Sequence, residues 1–237
     1  MPTSLTLQDV FLAQKTIAPL IRHTPLIPSL SLSERTGMAV YLKLELLQET
    51  GAFKVRGAAN KILNLPAEAR RHGVVTVSTG NHGRAVAYVA GQLGMNAAVC
   101  ISERVPENKV HALRQLKAEV VIHGQSQDEA EGQARYLQAE RGATLIPPFD
   151  DPLIIAGQGT LGLELLADLP EIETVLVPLS GGGLIAGVAL ALKSANPNIR
   201  VVGVSMERAA VMYRSLQAGQ PVQLPEEPTL ADSLQGG

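Results

Sequence analysis

Apolar positions along the chain fall into two patterns. Short runs rich in β-branched residues recur at Ala39 to Leu42, Val74 to Val77, Ala97 to Ile101, Glu119 to Ile122, Val175 to Val177 and Val201 to Val204. Most are separated by segments with the spacing of an amphipathic helix, such as Gly83 to Leu93, Asn108 to Leu116 and Asp128 to Arg141. A strand that is apolar at successive positions needs cover on both faces, and intervening helices supply it. The pattern therefore predicts an α/β fold of parallel sheets with helices on both faces.

Two stretches interrupt this alternation: Leu65-Pro66 to Gly73, and Pro147 to Pro152, which holds three prolines. They predict a small domain, residues 73–149, inserted between residues 1–72 and 150–237, which together form a larger one. An insertion of this kind leaves a cleft at the junction, where ligands of α/β proteins bind. The Pro- and Glu-rich segment Gln217 to Thr229 lacks periodicity and is expected to be a loop.

Composition narrows the partners. The 237 residues are 46% hydrophobic with net charge -2, enough for a large core or two lobes. Charges of both signs are interspersed without a basic block, which argues against nucleic acid or a polybasic membrane patch and toward small metabolites. Met1 to Leu5 lacks the layout of a signal peptide, and no apolar run approaches the roughly 18 residues of a membrane span. A cytoplasmic protein is expected. The single cysteine, Cys100, excludes an internal disulfide and sits in an apolar run as a buried strand residue rather than a nucleophile.

Three short segments carry candidate chemistry. Ser180-Gly181-Gly182-Gly183-Leu184 follows the run Val175 to Pro178 and opens the apolar helix Ile185 to Lys193. Successive glycines let a backbone approach a ligand, and free N–H groups at a helix start attract a phosphate; the same turn also serves tight packing. It lacks the lysine ending of a nucleotide-triphosphate loop and the spacing of the dinucleotide fingerprint.

In Thr50 to Ala58, Lys54 follows Phe53 at the start of a helix expected to run to Leu63. A desolvated lysine has a lowered pKa and attacks carbonyls, although on composition alone this is one of seven lysines and a surface role is the plainer reading. Ser78-Thr79-Gly80-Asn81-His82-Gly83 crowds hydroxyls, an amide and helix-start N–H groups into one turn, suited either to a carboxylate or simply to capping a helix. His82 is expected to bind or position rather than to carry protons.

Taken in order, these segments, with Arg22 to Leu26 and Ala156 to Thr160, resemble the serine/threonine dehydratase group of fold-type II (tryptophan synthase β-like) pyridoxal 5'-phosphate enzymes. The resemblance implies two parallel-sheet lobes with the cofactor in the cleft. It implies that Lys54 forms the Schiff base, that Phe53 packs near the pyridine ring, and that Asn81 bonds the cofactor's phenolic oxygen. Ser180, Gly181, Gly182, Gly183 and Leu184 would hold the phosphate. Ser78, Thr79, Gly80, Asn81 and His82 would clasp the carboxylate of an amino-acid substrate, from which a β-hydroxyl is eliminated to leave a keto acid and ammonia. A homodimer is implied as well.

Departures from the group are specific. Ala52 stands where it commonly has serine, and Ser180 where it has a fourth glycine. Thr79 replaces the serine that racemising relatives use as a second base, which disfavours racemisation. Ser205 and Val211 occupy positions where some relatives carry acidic ligands for a divalent cation, so no metal is expected and Glu207 is taken as a solvated charge. Such enzymes usually continue beyond Gly237, which implies an incomplete large domain whose partner for the pyridine nitrogen lies outside this chain. A loose alignment sets Glu131 where an arginine can face a second substrate carboxylate, although a solvated helix residue is the plainer reading. A hydroxyectoine-derived hydroxyamino acid is an alternative substrate. A β-replacement synthase or racemase of the same fold, and a non-catalytic binding protein, are alternative functions.

Overall fold

A computed structural model describes residues 5–78, 80–225 and 227–234. The first helix, α1 (Leu7–Ile17), is closed at its start by a reciprocal capping box between Thr6 and Asp9. Strands β1 (Leu26–Pro28) and β2 (Tyr41–Lys43) flank helix α2 (Leu30–Thr36) and pair antiparallel, with Leu26 opposite Lys43. The strand expected at Ala39 to Leu42 thus lies slightly later and belongs to an antiparallel pair. The cause is local: Gly37, at φ 70°, ends α2 in the left-handed region and reverses the chain, and the Ser29 N–H donates to the Val40 carbonyl at 2.8 Å.

Helix α3 (Lys54–Leu63) follows, and α4 (Ala67–His72) occupies part of the stretch that sequence pattern assigned to a connection. Strand β3 (Val74–Val77), helix α5 (Asn81–Gln92), strand β4 (Ala97–Ile101), helix α6 (Glu107–Gln115), strand β5 (Glu119–Ile122), helix α7 (Gln127–Arg141) and strand β6 (Thr144–Leu145) then alternate. The four strands form one parallel sheet in the order β5-β4-β3-β6. Along β4 the side chains divide by parity: Val99 and Ile101 pack with Val110 and Leu113 of α6, whereas Ala98 and Cys100 pack with Ala130, Ala134 and Leu137 of α7. Both faces are covered, which is why these strands lack polar alternation. Burial first, with Glu119 adding to it, pushes the Cys100 thiol up to about 11, which keeps it protonated and unreactive at neutral pH.

The long helix α8 (Pro152–Asp168), strand β7 (Thr174–Pro178), helix α9 (Gly183–Ala195), strand β8 (Arg200–Val204) and helix α10 (Val211–Ala218) complete the order. Strands β7 and β8 pair parallel, and Val177, Leu184, Val188, Leu192 and Ile199 fill the space between them and α8. Helix α10 covers the first residues of the segment expected to be a loop at Gln217; the next residues, to Pro225, lack regular structure. Among the described residues, no helix is long and apolar enough to cross a membrane.

Helix α3 is fixed against α8 at backbone contact. A Cβ added to Gly157 would lie 2.6 Å from the Arg56 carbonyl oxygen, and one added to Gly57 would lie 2.9 Å from that of Ile154. Beside this contact Arg56, 1% exposed, donates to Glu45 and Glu164, and Lys43 reaches Glu164 at 2.8 Å and Asp168 at 2.9 Å. Burial alone would raise the Glu164 carboxyl; hydrogen bonds and charge from Arg56 and Lys43 reverse this and hold it below the usual carboxylate range. The α3–α8–β2 junction is therefore tied by both packing and paired charge, two residues from Lys54.

Candidate active site

Lys54 is the first residue of α3, after Phe53 at the N-cap. Its Nζ lies 5.4 Å from the centroid of the Phe53 ring and donates to the Pro148 carbonyl at 2.8 Å. Burial pushes its pKa down to about 8. Among the described residues no carboxylate pairs with it, so the ammonium form has only a backbone dipole and the Phe53 ring to offset its desolvation. A surface role, the plainer reading from composition, does not apply.

The turn from β3 to α5 is built differently from a side-chain cap. Gly80 is the N-cap of α5 and no side chain caps it; the Ser78 Oγ instead accepts from the Gly80 N–H at 3.2 Å. Thr79 lies outside the described residues. Asn81 is the first helical residue, and its Oδ1 accepts from Arg84 Nη2. A guanidinium has only donors, so Arg84 fixes which end of the amide it holds and leaves the Asn81 NH2 group to face other partners.

His82 is 3% exposed, and its Nε2 donates to the Ile146 carbonyl at 3.0 Å. Burial, with a smaller contribution from the charge of Lys54, pushes its pKa down to about 4, against the smaller opposing effect of that hydrogen bond. It is thus a neutral imidazole with the proton on Nε2. Its buried Nδ1 is an acceptor with no partner among the described residues.

The glycine turn joins β7 to α9. Gly182, the N-cap, has φ 83° and makes no side-chain cap; the first intrahelical bond is from Ala186 N–H to the Gly182 carbonyl. The N–H groups of Gly183, Leu184 and Ile185 precede that bond and have no acceptor within the helix. The Leu184 side chain belongs to the core with Val177 and Val188, so only its backbone is available to a ligand. Ser180 is half-buried beside the turn.

Residues 146–149, which run from the end of β6 into the stretch that the sequence pattern marks only as a boundary, link all three motifs. The Ile146 carbonyl accepts from His82, the Pro148 carbonyl accepts from Lys54, and the Phe149 ring lies against Gly181. The prolines were visible in the sequence; the acceptors were not, because a backbone carbonyl has no side-chain signature. Glu131 faces solvent and pairs with Arg135 one turn along α7, which makes it a solvated helix residue. Glu207 is also exposed. Among the described residues no group of three histidine, cysteine, aspartate or glutamate side chains is placed to hold a metal ion.

These groups suit a phosphate-bearing aldehyde. The lysine is half-buried and short of countercharge, the helix start offers N–H donors without an acceptor in the helix, and a buried imidazole nitrogen awaits a donor. A parallel α/β framework with a lysine and an N–H-rich turn brought to one segment is the architecture of a lysine-dependent cofactor enzyme.

The chain belongs to the pyridoxal-phosphate dependent enzyme family, which residues 17–237 match. An L-threonine ammonia-lyase from Thermotoga maritima is 45% identical over 230 residues, 97% of this chain and 57% of that protein. Among solved structures, maize serine racemase superposes with a TM-score of 0.94 at 40% identity, covering 97% of this chain and 70% of that one. The processed form of threonine deaminase isoform 2 from Solanum lycopersicum superposes with a TM-score of 0.90 at 38% identity, covering 99% and 66%. The chain thus spans little more than half the length of the T. maritima relative.

Proposed function

We propose that this chain carries the active site of a dehydratase that removes water from a β-hydroxy amino acid, threonine or serine, giving a 2-keto acid and ammonia. The observation that carries the reading is Lys54: a half-buried amine whose pKa desolvation lowers to about 8, held by a carbonyl and beside Phe53. The relatives named for threonine ammonia-lyase and threonine deaminase activity support the substrate class.

Pyridoxal phosphate, when bound, supplies an electron sink for negative charge at the substrate Cα. Lys54 would be the covalent attachment point for the cofactor and, with its amine free, the base for the Cα proton. An amine whose pKa lies near 8 suits both tasks close to neutral pH. Gly181, Gly182, Gly183 and the Leu184 N–H, with Ser180, would hold the phosphate; Phe53 would pack on the ring; the Asn81 NH2 would donate to the phenolic oxygen. Ser78, Thr79, Gly80, Asn81 and His82 would bind the carboxylate, with His82 remaining neutral and positioning rather than neutralising it. In this reading residues 73–149 close over a larger unit formed by 1–72 and 150–237, and the protein works as a cytoplasmic homodimer.

The test is direct. Purified protein incubated with pyridoxal phosphate and reduced with borohydride is expected to carry the cofactor on the peptide containing Lys54. Keto acid is expected from L-threonine or L-serine in preference to hydroxyaspartate or hydroxylated diamino acids. Cofactor attached at another lysine, or efficient cysteine formation from serine and sulfide without keto acid, overturns the reading. The likeness to maize serine racemase favours racemisation as the second reading, and appearance of D-serine in the same assay would select it.

A further inference from the structure

The glycines at 181 and 183 are both crowded by Phe149, the first by its ring and the second by its backbone and Cβ. A Cβ at Gly181 would lie 2.4–2.6 Å from Phe149 ring carbons, and a Cβ at Gly183 would lie 2.9 Å from the Phe149 carbonyl oxygen and 3.0 Å from its Cα. Distances this short admit no side chain, so the turn takes its path with Phe149 in contact along it. Yet Phe149 remains 38% exposed. A core residue would be sealed in; this ring leaves much of its surface in solvent while filling the space beside Gly181, and the Phe149 backbone fills that beside Gly183. Its contribution to hydrophobic burial is correspondingly partial.

The peptide segment that carries Phe149 is held at both ends. On one side Ile146 is fully buried, donates its N–H to the Val75 carbonyl at 2.9 Å, and accepts from Thr76 Oγ1 at 2.8 Å and His82 Nε2 at 3.0 Å. On the other, Asp151 accepts from the Leu153 and Ile154 N–H groups at the start of α8 and pairs with Lys61 at 2.6 Å. Pro147 and Pro148 restrict the backbone between these anchors, so Phe149 is presented by a short span with little freedom.

We propose that Phe149 is a positioning residue that holds the Ser180–Leu184 turn in the conformation that accepts the cofactor's phosphate. The inference rests on the reading of the site as a pyridoxal-phosphate site. It assigns the phosphate affinity in part to a ring on the linking segment, acting through the backbone of Gly181.

The experiment compares two probes, pyridoxal phosphate and phosphate-free pyridoxal, on the whole chain, with dissociation constants read from the absorbance of the lysine-bound aldehyde. The unsubstituted protein is expected to prefer the phosphorylated form. In Phe149→Ala that preference falls by roughly tenfold or more, the loss expected when charge-assisted hydrogen bonds to an anion are disordered. Phe149→Leu and Phe149→Tyr, which keep bulk at the turn, retain most of it. A general loosening of the fold would weaken both probes alike and leave their ratio unchanged, which overturns the proposal.

Gly181→Ala supplies a second arm. Alone it forces a Cβ into the ring and is expected to lower the preference; in the Phe149→Ala background its cost should shrink, because the clashing atoms are gone. Additive costs overturn the coupling. If the unsubstituted protein fixes neither aldehyde on Lys54, the reading of the site fails and the role of Phe149 with it. If it loads normally and the ratio is unmoved by Phe149→Ala, only the role of Phe149 fails.

Discussion

The amine of Lys54 and the carbonyl of Pro148, 94 residues apart in the chain, are joined by a hydrogen bond of 2.8 Å. A carbonyl accepts from either protonation state of the amine, whereas a carboxylate would stabilise the ammonium and silence it. The acceptor therefore orients Lys54 while offsetting its desolvation far less than a carboxylate would, and burial still pushes the pKa down to about 8.

Replacing this amine should remove the cofactor's covalent anchor and the base together. Lys54→Ala or Lys54→Gln is expected to carry no borohydride-fixed cofactor and to lose at least about a thousandfold in keto-acid release. Mass spectrometry of the reduced protein and a coupled keto-acid assay check the two effects separately. Retention of turnover would place the chemistry elsewhere.

The reactivity of Lys54 should follow its own titration. Its value lies below that of an ordinary lysine, so the neutral amine grows in as pH rises through about 8 rather than through ~10.4. The rate at which an aldehyde attaches to Lys54 in the cofactor-free protein is expected to climb with a midpoint near 8, while surface lysines respond only at higher pH. A midpoint near 10 would show the amine to be solvated.

His82 makes the fold sensitive to acid. Its folded value, about 4, is below the ~6.5 of an exposed histidine. Between those values the unfolded chain binds a proton that the folded chain refuses, so stability falls as pH drops from ~6.5 toward about 4, by up to about 3 kcal/mol. His82→Gln is expected to flatten this part of a urea-denaturation profile measured against pH. An unchanged slope would assign the acid sensitivity to other groups.

Arg56 should matter through what its loss leaves behind. Arg56→Ala strands Glu45 and Glu164 in a buried site with Lys43 as the remaining nearby cation, and a cost of about 3–5 kcal/mol is expected. Because Glu164 titrates below its unfolded value, the stability it contributes is present above the unfolded carboxyl range and lost as pH falls through the folded one. Arg56→Lys should recover part of the cost. Urea midpoints at neutral pH measure both, and a cost under about 1 kcal/mol for Arg56→Ala would show the junction to be held by the Gly57–Gly157 contact alone.

Much of the architecture was legible before any coordinates. Runs such as Ala97 to Ile101 are apolar at every position, and only a strand covered on both faces accommodates that, as the division of β4 between α6 and α7 shows. The three motifs were legible too, because each packs its chemistry into a few consecutive residues. The antiparallel β1–β2 pair was not, since Gly37 and the bond from Ser29 to Val40 set the strand direction and apolar pattern carries no sign of it.

The sequence by itself determined the α/β class and picked out three local groups of candidate residues, because periodicity and short spacing are properties of neighbours along the chain. Tertiary structure alone decided that Ile146 and the proline-rich segment after it would touch all three groups. It also decided that Lys54 would meet a carbonyl rather than a carboxylate, and that glycines at 181 and 183 would answer to Phe149. Those outcomes depend on burial and on backbone atoms brought together from distant parts of the chain, and every residue carries the same backbone, so no residue type announces them.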